Sequence, residues 1–312
     1  MSDGEKRILI TGAGGYVGRI VGERLARDHK VVGTDLRPRA DLGFEILALD
    51  VRDPQLTVLM GDLGITHVVH LAAVLEGGKD RDVEYDIDVR GTNNVVECAI
   101  AAGVRHLMVA SSGAAYGYHP DNPAWIGEEQ PLRATDLFAY AHHKRLVEEL
   151  LASHRQRTPQ LRQLVLRICT VLGATTNNQI TALFRKRRIL GVRGSDSRFV
   201  FIWDEDVAGA IVHGVRGDRS GVFNLAGDGA MTIREIAAAL GKPTLVLPAF
   251  VLRQALEIGQ FFHLSRYGPE QLDFLRYRPV LDNRRLKEVF GYVPMKTSAE
   301  AFQTFAEAQR GR

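Results

Sequence analysis

The chain has 312 residues, 45% of them hydrophobic, and its 40 Lys and Arg against 37 Asp and Glu leave a formal net charge of +3. That suits one large globular domain or a large and a small one, and the basic residues are spread along the chain rather than gathered in an arm, so no nucleic-acid partner is expected. MSDGEKR is followed by no apolar signal core, and no apolar run approaches the roughly 18 residues of a membrane span, so a cytoplasmic protein with no membrane partner is expected. Cys98 and Cys169 lie in apolar segments without CxxC spacing, so both read as buried thiols and no disulfide frame or zinc site is expected.

From the N-terminus, RILIT predicts a strand, and the turn TGAGGYVG carries Gly12, Gly15 and Gly18 into an amphipathic helix that opens at Tyr16 and Val17. This spacing suits a tight strand-to-helix turn whose first N–H groups face a pyrophosphate: glycine permits the turn, admits phosphate where a Cβ would block it, and packs the helix on the strand. About 20 residues later, KVVGTD ends in Asp35, placed to accept hydrogen bonds from both adenosine ribose hydroxyls; its charge repels a 2′-phosphate, which favours NAD over NADP. Arg37 and Arg39 follow and would weaken that preference if they reached the ribose; a solvated loop is the preferred reading for both.

The alternation continues through ITHVVHLAA, GTNNVVECAIAAG, RHLMVASS, LFAYAHHKRLVEELLASH and QLVLRICTVLG. Short runs that are apolar throughout, separated by helically spaced segments, predict an α/β fold with a doubly wound parallel sheet covered on both faces. Residues 1–173 are thus expected to form a Rossmann-type NAD-binding domain. Residues 174–312 are expected to be mainly a smaller α/β substrate-binding domain, with some segments returning to the Rossmann core. Within it, the apolar segment 248–267 offers Phe250, Leu252, Leu256, Phe261 and Phe262; a helix packed on the domain is preferred over a cap on an apolar substrate or a membrane-touching surface.

RHLMVASS ends in Ser111 and Ser112, at the carboxyl edge where doubly wound sheets bind ligands. FAYAHHKRLVEELL places Tyr140 and Lys144 four residues apart, on one face of a helix. A phenol with its ordinary pKa of about 10 is a poor base, but a nearby ammonium and a cationic nicotinamide favour the phenolate. Tyr140 then takes or gives the proton of a carbinol as hydride passes between substrate and nicotinamide. Adjacent His142 and His143 point in different directions, so no metal site is expected; His70 reads as a packing residue, and the basic run 185–188 as a solvated helix face rather than a diphosphate clamp.

Taken in order, TGAGGYVG, Asp35, HLAA at 70–73, SSGAAYG and YAHHK resemble the extended short-chain dehydrogenase/reductases, specifically the NAD-dependent epimerase/dehydratase family. The resemblance implies Ser112, Tyr140 and Lys144 as the catalytic set, with Lys144 also a ribose ligand. It implies Asp50 and Val51 beside the adenine, and Leu71, Ala72 and Ala73 near the cofactor phosphates. It also implies a homodimer built from the helices at 93–102 and 137–153.

Several positions depart from the family pattern. Phe199 stands where nucleotide-sugar epimerases carry a diphosphate-gripping arginine, while Arg198 falls on the other face of a strand; Trp203, Thr170 and Ala174 replace a usual His, Asn and Pro. Asn178, beside Asn177, matches a substrate-contacting pair of the sugar epimerases. Gly113 and Ala114 occupy the positions of the dehydratases' acid pair. The sequence therefore points to an NAD-dependent enzyme oxidising a carbinol of a sugar or nucleotide sugar, an epimerase before all. Its alternatives are a net dehydrogenase or reductase on a free sugar, sugar acid or apolar alcohol, and a dinucleotide sensor without turnover.

Overall fold

A computed structural model of the chain describes residues 5–74, 80–261, 268 and 270–310. The first half builds six parallel strands: β1 (Arg7–Thr11), β2 (Lys30–Asp35), β3 (Glu45–Ala48), β4 (His67–His70), β5 (His106–Ser112) and β6 (Arg162–Ile168). Ile8 and Ile10 of β1 join one core with Val69, Met108 and Leu164, whereas Leu9 joins another with Val68, Leu107 and Val165. Alternate residues thus feed opposite cores, and this is why the strands are apolar throughout rather than alternating. On the first face lies helix α1 (Tyr16–Leu25); on the second lie α2 (Gln55–Asp62), α4 (Gly91–Ala101), reached through the short α3 (Arg81–Tyr85) and a π-helical turn at Asp86–Arg90, and the long α5 (Ala139–Arg157).

The second half divides between the two regions. Short strands β7 (Thr170–Leu172), β8 (Ile189–Val192), β9 (Arg198–Phe199) and β10 (Phe201–Trp203) surround α6 (Gln179–Phe184); α7 (Asp204–Arg216) then packs on α1, and β11 (Gly221–Leu225) pairs with β6. The completed seven-stranded sheet runs β11-β6-β5-β4-β1-β2-β3. Past it come β12 (Met231–Thr232), α8 (Ile233–Ala239), β13 (Thr244–Leu247), α9 (Ala249–Phe261), α10 (Gln271–Arg276) and α11 (Ser298–Arg310). Pairings β10–β7, β12–β9 and β13–β8 make a smaller α/β region around Phe184, Phe199, Phe201, Phe302 and Phe305.

In the apolar segment, Leu252 is buried with Val192 and Leu272, whereas Phe250 is exposed. Phe262 and the Phe261 side chain lie outside the described residues. Cys98 is buried, but Cys169 is only partly so, because it sits just past the end of β6 where the sheet opens. Strand order reverses between β1 and β4, and the crevice beyond the carboxyl ends there is where such sheets bind ligands.

Candidate active site

The β1-to-α1 turn is shaped by contacts that only glycine tolerates. Gly12 has φ +70, and a Cβ on it would lie 2.7 Å from the Ala72 backbone nitrogen; one on Gly18 would collide with the Gly12 carbonyl. The loop of Leu71, Ala72 and Ala73 is held against this turn by a bond from Leu71 N to the Thr11 carbonyl at 3.1 Å. Gly15, at the N-cap of α1, gives the helix no side-chain cap, so the first-turn N–H groups of Tyr16, Val17 and Gly18 are of the kind that bind phosphate.

At the end of β2, Asp35 accepts from Gly14 N and Arg37 N, each at 3.0 Å, through different carboxylate oxygens. Each oxygen keeps capacity for a ribose hydroxyl. Arg39 is engaged by Asp41 through bonds of 2.9 and 2.8 Å, which leaves Arg37 as the nearer cation. Asp50 is tied to Arg52 by a 2.6 Å bond, which lowers its pKa, and the buried Val51 accepts from Asn94 at 2.8 Å. These residues fit a dinucleotide with its adenosine over β2 and its pyrophosphate at α1. Unforeseen from sequence is the role of the Tyr16 side chain: its phenol bonds the Asp204 carboxylate and receives a 3.3 Å bond from Thr175, joining α1 to the start of α7 beside a cavity of about 430 Å³.

The catalytic candidates meet at the end of β5. Ser112 closes that strand, buried, with its Oγ accepting from Ala114 N at 3.2 Å. One turn apart on α5, Tyr140 and Lys144 face it: the Lys144 Nζ lies 5.8 Å from the Tyr140 ring centre and donates to the Ala110 carbonyl at 2.8 Å. Burial pushes the Tyr140 phenol up to about 12; a hydrogen bond with Ser112 lowers it and Asp88 raises it. Burial also lowers the Lys144 pKa against the pull of Asp88 and Glu148. The loss of solvent around the phenol thus opposes the phenolate, and the positive charge of a bound nicotinamide would act against that cost.

Beneath the set lies a buried polar layer. Glu148 accepts from Ser111 at 2.5 Å and pairs with Arg167 at 2.7 Å, and Arg167 reaches the Tyr116 hydroxyl at 2.7 Å. Tyr140, Lys144 and Glu148 recur at a spacing of four, and that repeat was the available signal. On the other side, His70 is bonded by Thr11 at 2.7 Å and Thr92 at 2.9 Å, with burial pushing it down to about 3. Asp88 meets His143 at 3.0 Å, and no group of three metal-ligating side chains occurs among the described residues.

The two substrate-side candidates lie elsewhere. Asn178 caps α6, accepting from Thr181 N at 2.9 Å and donating to the Val171 carbonyl at 3.3 Å. Phe199 is buried in the aromatic cluster, 5.5 Å from Phe184 and 5.8 Å from Phe201 between ring centres, with the Arg278 guanidinium over its ring. Arg198 is half-exposed on the other face of the strand.

Among known proteins, the uncharacterized protein Rv0501 of Mycobacterium tuberculosis is 23% identical over 96% of this chain and 83% of its own. A short-chain dehydrogenase/reductase superfamily protein of Agrobacterium tumefaciens, solved with bound NAD, shares the fold with a TM-score of 0.75 at 24% identity, over 98% of both chains. UDP-glucose 4-epimerase of Thermus thermophilus, in complex with NAD, gives a TM-score of 0.74 at 23% identity, over 98% of this chain and 99% of that one. Residues 8–226, which carry both the cradle and the catalytic set, match the sequence pattern of a single family. By that match, the chain belongs to the NAD-dependent epimerase/dehydratase family.

Proposed function

We propose that the protein is an enzyme that oxidises a carbinol of a sugar-type substrate, or reduces the corresponding carbonyl, with NAD rather than NADP as its redox partner. The observation that carries this reading is the meeting of Ser112, Tyr140 and Lys144 beside a glycine turn that a Cβ would close. Bound NAD supplies the hydride acceptor. Ser112 holds the substrate oxygen, and Tyr140 moves the proton between that oxygen and solvent. Lys144, kept in place by the Ala110 carbonyl, orients the ribose and supplies the positive charge below the phenol. Asp35 selects NAD, by accepting from both ribose hydroxyls and by repelling a 2′-phosphate.

Net oxidation or reduction is the first reading, because Phe199 and Asn178 are engaged in packing and capping. Epimerisation, in which the hydride returns to the opposite face, is the second, favoured by membership of a family that is named for it. In either case α4 and α5 are the faces through which two copies would pair. Reduction consumes a proton and oxidation releases one, so the reducing direction should weaken as pH rises and the oxidising direction should strengthen.

The test is NADH formation across sugars, sugar acids and nucleotide sugars by the protein and by Tyr140→Phe. The substitution should lower the rate by about 10²- to 10⁴-fold, the range of acid–base catalysis, with NAD affinity unchanged. An unaltered rate in the variant would refute the assignment of Tyr140. Conversion of a nucleotide sugar without NADH accumulation would select the epimerase.

A further inference from the structure

Arg278 lies between α10 and the bridge that joins Leu281 to Ile126. Its guanidinium carbon is 4.0 Å from the Phe199 ring centre and 3.9 Å from that of Phe274. At those distances the cation lies against both rings, which leaves its N–H donors for recognition. Two of the edge atoms, Nε and Nη2, are buried without a hydrogen-bond partner among the described residues. Leaving buried donors without partners is costly, and such orphans in a folded protein call for a ligand or a water. The residue as a whole is only partly buried, although Nε and Nη2 are themselves covered.

The cage also reaches the catalytic set. Phe274 packs edge-on against Tyr118 at 5.1 Å, and Tyr118 packs against Phe138 at 4.7 Å, two residues before Tyr140. The Tyr118 phenol, pushed up chiefly by burial, is lowered by Arg278 and raised by Tyr140, so the three groups share one electrostatic neighbourhood.

The chemistry of the missing partner follows from the cage. Burial lowers the Arg278 pKa to about 9, which keeps it a cation at neutral pH, and among the described residues Tyr118 is the one other titratable group that acts on it. One positive charge with unmet N–H donors on a planar fork matches an anion that is planar, singly charged and able to take two parallel N–H bonds. A carboxylate has these properties. A phosphate ester is tetrahedral and brings up to two charges to a site with a single cation among the described residues.

We propose that Arg278 anchors a substrate carboxylate, so that the carbinol presented to Ser112 and Tyr140 belongs to a sugar acid. The presentation of a carbinol rests on the hydride-transfer reading above, whereas the anion recognition does not.

The NAD-loaded protein is titrated with D-glucuronate, D-galacturonate and D-gluconate, with glucose and galactose as neutral counterparts, and with glucose 1-phosphate, following the shift in thermal unfolding. At least one sugar acid should bind about tenfold or more tighter than its neutral counterpart, the gain of a charge-assisted pair, and glucose 1-phosphate should bind no tighter than glucose. Arg278→Met should abolish the preference while NAD still stabilises the variant. Arg278→Lys, which keeps the charge without the fork, should retain only part of it and decides the matter if the methionine variant does not fold. Equal shifts with acid and neutral sugar, no shift with any acid, tighter binding of the phosphate ester, or a preference that survives substitution would each overturn the assignment. Because binding is read without turnover, an Arg278-dependent preference with no NADH formed would sink the hydride-transfer reading and leave this one standing. NADH formation from neutral sugars alone would do the reverse.

Discussion

The cofactor side of the site and the substrate side are held by different means. Around β1, β2 and β4, positions are dictated by backbone: Gly12 and Gly18 admit the turn, Leu71 N bonds Thr11, and Asp35 is oriented by two backbone N–H groups. Around β9, α6 and α10, positions are dictated by side-chain packing, with Phe184, Phe199, Phe201 and Phe302 interlocked and Arg278 stacked on Phe199. A backbone requirement admits few residue types and keeps its spacing, whereas an aromatic cluster can be filled from any element that reaches it. The first side can therefore serve one cofactor while the second changes substrate.

The strongest challenge to this contrast is the buried layer on the cofactor side that does rely on side chains. Glu148 and Arg167 are both nearly inaccessible, at 6% and 8% side-chain exposure, and pair at 2.7 Å. Glu148→Ala should destabilise the protein by about 3–5 kcal/mol, because it strands a buried cation. Replacing both partners, Glu148→Leu with Arg167→Met, should recover much of that in urea unfolding, since two apolar groups avoid the desolvation cost. If the double variant is no better than the single one, the pair contributes more than charge compensation.

A smaller effect is expected at Asp35, where binding rather than folding is read. Asp35→Ser removes the charge that repels a 2′-phosphate and weakens the hold on the ribose. NAD affinity should drop about tenfold, the loss of one charge-assisted bond, while NADP affinity holds or rises. Loss of both in equal measure would show that Arg37 already governs selection.

The contrast also explains what could be read from the chain alone. TGAGGYVG, Asp35 and the Tyr140–Lys144 spacing were legible because turn geometry and helical periodicity are local. A return of later segments to the Rossmann core was legible too, but not that β11 would make it beside β6, since GVFNL carries no mark of a partner more than 50 residues earlier. Phe199 was assigned to substrate by its place in a motif, but its surroundings come from α6, β10 and α11, which local pattern cannot assemble. Arg278 carries no local mark for the same reason: Phe199, which makes half of its cage, is distant in the chain.

A pH titration probes the cofactor side by another route. His70, fixed between Thr11 and Thr92, is pushed down to about 3, below its ordinary 6.5. In the unfolded chain it takes up a proton near pH 6.5 that the folded protein refuses. Its contribution is therefore full above that pH and is lost as pH falls toward 3. His67, pushed down to about 4 by burial, acts in the same direction. The acid limb of stability should be shallower in His70→Gln than in the parent, and an unchanged slope would show that His70 is protonated in the folded state.

The smallest effect bears most directly on the substrate side. The Asn178 side chain accepts from Thr181 N, and the Thr181 hydroxyl receives a 2.9 Å bond from Asn178 N, a reciprocal box that satisfies donors at the start of α6. If the residue acts only there, Asn178→Ala should cost about 1 kcal/mol in urea unfolding, with KM for any turned-over substrate unchanged, and Asn178→Asp should recover the cap but not the bond to the Val171 carbonyl, and so part of the stability. A rise in KM that Asn178→Asp does not rescue would place the amide against substrate, and would mean that this side of the site, like the other, uses a residue of the family motif for binding.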